Sequence, residues 1–387
     1  MTQILTYEDP VGGARGWLAY DSTTGPLAAG GCRMQPGLTA RELAALAERM
    51  TLKQRVLGLN VNGAKCGLDY DPRAADAKQV LSGFLAFLRE ELHNRFSMGS
   101  DMGTQWGELQ HLAAAQGIPS VKYAIKKTQG LSDEAFFTRI SLLEGRAGML
   151  SLGQLRAGHV LAHAAIAAAR AAGAGGKISV ALQGFGTLGR AAACTFLNEG
   201  VRVTAIADEH GCVVDPAGLD LAGMLSSRPG SPVPHIDPAH ARPAREALFD
   251  APADVLVLAA AADALSAGQA TALPFPAVAV GANYGLSETV EQELHRRGVL
   301  VLPDFIGGIG GSASMEVLFG PRTAPTVDQV LTHSAQLIRQ LVDQLLTEAR
   351  RNAETPRGAA MRLAARSVID ADAQPYGHCP YLVPSNA

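Results

Sequence analysis

Three side chains in the first hundred or so residues are of the kinds that proton transfer on a small molecule requires. Lys65 lies in "GLNVNGAKCGLDYDP" (58–72), an almost uncharged, glycine-studded stretch. A solvated lysine has no use for Gly63, Ala64 and Gly67 around it, and small neighbours let another group come close to the backbone. The stretch is read as a tight bend that brings the lysine against a ligand. A lysine works as a base near neutral pH only if burial or a neighbouring cation lowers its pKa from ~10.4 toward 7–8. Lys53 is a candidate for that second cation. Asp101, in "SMGSDMGT" (97–104), sits in a small-residue loop and is expected to be a buried carboxylate.

A second group of residues suits a dinucleotide. Gly184, Gly186 and Gly189 spell GxGxxG, a weak signal alone. Here the apolar run "ISVALQ" (178–183) precedes it, a helical pattern follows, and Asp208 ends the next apolar run, "VRVTAIAD" (201–208). In that context the first glycine makes the tight turn and the second lets a pyrophosphate approach. The third lets helix and strand pack. The pyrophosphate then rests on the helix N-terminus. Phe185, Thr187 and Leu188 complete the fingerprint, and Ala259 and Ala260 are assigned to the same cofactor side. Asp208 can accept hydrogen bonds from ribose hydroxyls. With Glu209 it would repel a 2′-phosphate, so NAD is expected rather than NADP. No metal site is expected.

The elements that must hold these residues are legible. Residues 39–57 read as a helix, with Thr39 and Glu42 as a capping box and Leu43, Leu46, Ala47, Met50 and Leu57 as the apolar stripe. Lys53 lies on the flank of that stripe. Short apolar runs at 178–183, 201–208, 254–260, 277–281 and 299–304 alternate with helical patterns. That alternation predicts a doubly wound, parallel sheet. Residues 326–370 are predicted helical.

The fold expected is α/β with two domains: a substrate and oligomerisation domain over 1–150 and a Rossmann domain over 151–325. A helical segment, 326–387, is expected to return to the first domain. The 387-residue length suits two domains. With 47% hydrophobic and 18% charged residues, the chain can bury large cores and is not a disordered type. A net charge of −3 gives no reason to expect nucleic acid or an acidic membrane as partner. No apolar run approaches the ~20 residues of a membrane span. "MTQILTYEDP" has neither the basic start nor the apolar stretch of a signal peptide. Cys32, Cys66, Cys194, Cys212 and Cys379 have no paired spacing, which suits free thiols in a reducing cytoplasm.

Taken together, these pieces resemble the glutamate/leucine/phenylalanine/valine dehydrogenase superfamily. The resemblance is carried by "GPLAAGGCRMQPGLT" (25–39), "LAERMTLKQRVLGLNVNGAKCGLDYDP" (46–72), "SDMGT" (100–104), "VALQGFGTLGR" (180–190), "DEHGCVVDPAGLD" (208–220), "GANYG" (281–285) and "VLPDFIGGIGGS" (301–312). It implies that Lys53 holds the substrate α-carboxylate, Lys65 is the catalytic base and Asp101 relays protons to and from the amine. Gly30 and Gly31 are implied to lie along the substrate, and Asn283 near the nicotinamide. It also implies a homo-oligomer built through the N-terminal domain.

Departures from the family's pattern narrow the expectation. Glutamate-specific members carry a lysine where this chain has Ala29. That change points to an apolar or aromatic 2-amino acid, closer to the leucine/valine/phenylalanine branch. Gly308 stands where the family's "NAGG" has asparagine, and Ala157 where its "ATG" has threonine. The segment 120–155, with Lys122, Lys126 and Lys127, fits no member; the lysines read best as a solvated face, or else as a recognition site for an acidic group. The expected activity is NAD-dependent oxidative deamination, reversible, of such an amino acid to its 2-oxo acid and ammonia. Imine reduction or condensation in specialised biosynthesis, and a non-catalytic regulatory subunit, are the alternatives.

Overall fold

The structure is a computed structural model that describes residues 2–10, 13–242, 244–260 and 262–382. The chain forms two compact units. One contains the residues up to Ser141 together with Leu318–Ala324 and Ala364–Pro380; the other contains Leu142–Val317 and Pro325–Leu363.

The first unit is built on a five-stranded sheet: β1 (Gln3–Glu8), β2 (Arg15–Tyr20), β3 (Leu27–Met34), β4 (Val61–Asp69) and β5 (Phe96–Ser100), in the order β1-β2-β4-β3-β5. β2 is antiparallel to β1 and β4, whereas β3 runs parallel to both β4 and β5. A parallel pair needs a crossover, and the helix Ala40–Val56 supplies it between β3 and β4. That helix starts where its capping box predicts, with Thr39 and Glu42 bonded reciprocally. One face of the sheet carries the core, with Leu18, Tyr20, Cys66, Phe84, Phe96 and Met98 all buried.

The stretch 58–72 is not a bend. Residues 61–69 form β4, a central strand buried over nearly its whole length. Its glycines answer to packing. A Cβ at Gly63 would run into the Ala47 carbonyl and the Thr51 amide of the helix above it. The Gly63 amide donates to Thr51 Oγ1 at 3.0 Å. Glycine inside a strand here marks a helix pressed close against the backbone.

Two later pieces of chain are tied into this unit by buried polar groups. The Arg139 guanidinium donates to the carbonyls of Pro321 and Arg322 at 3.0 and 2.8 Å. The Asn60 amide donates to the carbonyls of Asp370 and Ala373 at 2.6 and 2.8 Å.

The second unit begins with a small hairpin, β6 (Arg146–Ala147) and β7 (Leu150–Ser151), and the helix Leu152–Ala171. Its sheet has seven strands: β8 (Ser179–Gln183), β9 (Arg202–Asp208), β10 (Gly211–Val214), β11 (Ala241–Arg242), β12 (Val255–Leu258), β13 (Ala277–Val280) and β14 (Leu300–Leu302). The order is β11-β10-β9-β8-β12-β13-β14. The five strands β9-β8-β12-β13-β14 are parallel, as the alternating pattern predicts. β10 is antiparallel to β9 because only Glu209 and His210 connect them, too few for a crossover.

The predicted helical stretch 326–370 is two helices, Val327–Arg351 and Pro356–Arg366. The break falls at Ala353, which takes a left-handed φ of 50°. Among the described residues no helix is long and apolar enough to cross a membrane. All five cysteines are free and buried.

Candidate active site

Strand alternation decides which side chains of the first sheet face away from its main core. On β3, Ala28, Cys32 and Met34 point into the core, so Ala29, Gly31 and Arg33 take the opposite face. On β4, Ala64, Cys66 and Leu68 point into the core and Lys65 takes the opposite face. Asp101 follows directly after β5. These side chains meet. The Lys65 ammonium lies 2.5 Å from Asp101 Oδ2, and Arg33 Nε donates to the same oxygen at 3.1 Å. Lys65 is 4% exposed and the Asp101 side chain 17%.

The "DMGT" turn explains how the carboxylate is held. Thr104 Oγ1 donates to the Cys32 carbonyl at 2.7 Å, and the Met34 amide donates to the Met102 carbonyl at 2.9 Å. The turn is thus stitched to β3 on both sides of Arg33. Burial alone would raise the pKa of Asp101. The charges of Lys65 and then Arg33, with hydrogen bonds from Lys65 and the Met102 amide, overcome it and hold the carboxyl well below the usual carboxylate range.

The two glycines that the sequence reading pairs differ in outlook. A Cβ at Gly30 would collide with the Ala64 carbonyl inside the sheet. A Cβ at Gly31 would stand 3.2 Å from the Lys65 ammonium and 3.0 Å from Asp101 Cβ. Gly31 is therefore the one whose bare face opens on the ion pair. Lys53 is 5% exposed, on the helix Ala40–Val56. It is a buried lysine and not a surface one with a solvated head.

Sequence reasoning missed Arg33. The signal was present: Arg33 is two residues after Gly31 on one strand, which places both on the same face. The three lysines of the unmatched segment separate. Lys126 pairs with Asp133 at 2.8 Å and Lys127 donates to Asn94 at 2.8 Å, both at the surface. Lys122 is buried, and its ammonium donates to Ser97 Oγ at 3.4 Å. Ser97 is the cross-strand neighbour of Ala29.

In the second unit the glycine turn lies between β8 and the helix Thr187–Asn198. Gly184 takes a φ of +98°, and a side chain there would press on Ala259 and Ala260. A Cβ at Gly189 would run into the Gly184 carbonyl, whereas one at Gly186 would meet nothing within 4 Å. The turn is fastened to both neighbouring strands: the Gly184 amide donates to Ala207 at 2.7 Å and the Ala259 amide to Gln183 at 2.8 Å. Leu188 opens the same helix one residue after Thr187. Phe185 is buried beneath the Arg190 guanidinium, 4.9 Å from its ring centre. The open side of Gly186 at a helix N-terminus fits a dinucleotide pyrophosphate.

Asp208 ends β9, as expected of the ribose acceptor, and it already serves the protein. Its Oδ1 accepts from the His210 amide at 2.8 Å and its Oδ2 from the Val233 amide at 2.7 Å. Carboxylate oxygens have further lone pairs for a ribose. Asn283 lies in the loop after β13. At the positions of departure, Ala157 packs on Gly310, whose Cβ would stand 2.8 Å from the Ala157 Cα. Gly308 caps the short helix Asp304–Gly307.

An α/β unit with a glycine turn at the carboxyl ends of parallel strands, joined in one chain to a unit holding a buried lysine–aspartate pair, defines a dehydrogenase architecture. The sequence model for "Glutamate/Leucine/Phenylalanine/Valine dehydrogenase" matches residues 156–375, and that for the "Glu/Leu/Phe/Val dehydrogenase, dimerisation domain" matches residues 6–116. The chain belongs to this family of amino acid dehydrogenases, which are oxidoreductases that use nicotinamide cofactors. Among relatives, a glutamate dehydrogenase of Thermotoga maritima is 29% identical over 297 residues, 76% of this chain and 68% of the relative. An NADP-specific glutamate dehydrogenase of Saccharolobus shibatae is 29% identical over 304 residues, with the same coverage. Among solved structures, the leucine-bound hetero-hexameric glutamate dehydrogenase of Thermus thermophilus superposes with a TM-score of 0.76 at 26% identity. The match covers 94% of this chain and 87% of that one. The L-tryptophan dehydrogenase of Nostoc punctiforme shares the fold, with a TM-score of 0.60 at 15% identity and 94% of each chain covered.

Proposed function

We propose that this protein catalyses the reversible, NAD-dependent oxidative deamination of a 2-amino acid to a 2-oxo acid and ammonia. The observation that carries the reading is the buried Lys65–Asp101 pair, 2.5 Å apart, beside the bare face of Gly31. Lys53 holds the α-carboxylate. Lys65, once its ammonium has passed a proton to Asp101 across their 2.5 Å contact, takes a proton from the water that adds to the substrate carbon. Asp101, kept ionised by its two cationic neighbours, carries protons to and from the amine nitrogen. The nicotinamide, when bound, supplies the hydride acceptor.

Gly184, Phe185, Gly186, Thr187, Leu188 and Gly189 hold the pyrophosphate, with Ala259 and Ala260 behind the turn. Asp208 takes the ribose, and Asn283 stands toward the nicotinamide. Substrate binding and subunit contacts are assigned to 1–150 and the cofactor to 151–325, while the segment 326–387 returns to the first unit over Ala364–Pro380. The assembly is a homo-oligomer in the cytoplasm.

Ala29 favours an apolar or aromatic side chain, since a second carboxylate beside it would lose water without gaining a cation. One observation favours a second reading. Lys122 is buried against Ser97, the neighbour of Ala29, so a cation stands close to the position where the family's lysine is missing. In that reading the substrate is acidic, as for the relatives named glutamate dehydrogenases. The test is the rate of NADH formation with leucine, phenylalanine, valine and glutamate, repeated for Lys122→Met. Turnover of none of the four refutes the dehydrogenase reading for these substrates. Preference for glutamate that Lys122→Met abolishes selects the acidic substrate, and preference for the others selects the apolar one.

A further inference from the structure

At the carboxyl end of the second sheet, two loops grip each other through backbone that side-chain-bearing residues rarely adopt. Asp263, after β12, and Tyr284, after β13, have φ of 48° and 55°. The Asp263 amide donates to the Tyr284 carbonyl at 2.9 Å, and the Ala264 amide to the Gly285 carbonyl at 2.8 Å. Left-handed backbone at residues with a Cβ costs free energy, so it persists only where the surroundings hold it. The hold on Tyr284 is visible. Its amide donates to Asp304 Oδ2 at 2.9 Å.

Asp304 is 1% exposed and in turn needs a counter-charge. Arg357, from the helix Pro356–Arg366, reaches its other oxygen at 3.4 Å. The same guanidinium grips Glu291, from the helix Glu288–Arg296, with two bonds of 2.6 Å. It also lies over the Phe305 ring, 5.2 Å from its centre. Such a planar fork is fixed in direction in a way a lysine is not.

We infer that Arg357 is a positioning residue for the dehydrogenase reaction: it fixes Asp304, which fixes the left-handed turn at Tyr284 that presents Asn283 to the cofactor. The inference rests on the reading of Asn283 as a nicotinamide-side residue. Arg357 touches neither cofactor nor substrate in this role. Its effect passes through one carboxylate and one amide.

The experiment measures NADH affinity by fluorescence titration, with KM for amino acid and cofactor, in wild type, Arg357→Gln, Arg357→Lys, Tyr284→Gly and Tyr284→Gly/Arg357→Gln. Arg357→Gln is expected to weaken NADH binding and raise the cofactor KM about tenfold, leaving the amino acid KM within about threefold. Arg357→Lys is expected to fall between wild type and Arg357→Gln. Glycine adopts the left-handed turn unaided, so Tyr284→Gly should make NADH affinity insensitive to Arg357. A folded Arg357→Gln variant that binds NADH as tightly as wild type overturns the inference, as does an Arg357→Gln effect of the same size in the Tyr284→Gly background. If Arg357→Gln does not fold, Glu291→Gln, which loosens the same guanidinium, replaces it under the same criteria. Failure of the wild type to bind NADH instead removes the cofactor reading on which the inference stands.

Discussion

The candidate site of the first unit is a cluster of side chains: Lys65, Asp101 and Arg33 are packed together and held by one another. The candidate cofactor site of the second unit is mostly main chain: the turn around Gly184, Gly186 and Gly189 offers bare Cα atoms and a helix end, with Asp208 ending the next strand. A charge cluster fails when one member is removed, because the others are left buried and uncompensated. A backbone cradle tolerates changes beside it and fails when a Cβ intrudes. The first arrangement suits proton transfer, and the second suits gripping a large, anionic cofactor without competing for its protons.

The largest expected effect tests that division directly. Lys65→Ala should lower turnover by ~10² to 10⁴ while NADH binding, a property of the other unit, stays within about twofold of wild type by the inverse use of the same argument. A variant that loses both together would show that the two units do not divide the labour. Next comes Asp208→Ala, the charged exception in the cradle. Losing charged hydrogen bonds to ribose should raise the KM for NAD by ~10- to 100-fold and narrow any preference over NADP. Equal use of both cofactors by the wild type would remove Asp208 from the ribose.

Arg33→Gln is smaller and sharper. Arg33 ranks after Lys65 among the charges that hold the Asp101 carboxyl down. Its loss should raise that pKa, so the acid limb of the kcat/KM profile moves to higher pH and the plateau falls about tenfold. An unmoved acid limb would show that Lys65 alone sets the ionisation.

The smallest effect concerns stability. The second unit buries a titratable pair: His163 packs on His159, with ring centres 4.5 Å apart, and its Nε2 lies 3.9 Å from a Glu199 carboxylate oxygen. Burial, then the charges of His159, Arg339 and Arg170, lower the His163 pKa to about 3. The unfolded group binds its proton near pH 6.5, so the folded state loses stability as pH falls below that value, down toward about 3. His163→Gln should therefore flatten the fall of Tm between pH 6.5 and 4 by a few degrees, on the order of 1 kcal/mol. A slope identical to wild type would assign the acid sensitivity elsewhere.

How much of this was legible in the sequence differs between the units in an instructive way. The capping box at Thr39 and the fingerprint at 184–189 are local signals, and both elements start where those residues place them. In the stretch 58–72 the small residues Gly63 and Gly67 do mark a close approach to the backbone, but what approaches is the chain itself, and the stretch is a strand and not a bend. The reason for both glycines is the backbone packed against them, which no local pattern records. Arg33 went unnoticed because its partner, Asp101, is 68 residues away. Lys122 resembled Lys126 and Lys127 in sequence, and only its burial against Ser97 sets it apart.

Asp208 ties two traits to one codon. Its carboxylate, proposed to take the ribose, also pins the Val233 amide, 25 residues along the chain. A lineage drifting toward a phosphorylated coenzyme by shrinking this residue would, in the same generation, unfasten the segment around Val233. Replacing Asp208 alone should therefore lower Tm as well as alter coenzyme choice, and a variant that also supplies a new acceptor for the Val233 amide should recover the stability without recovering the coenzyme preference.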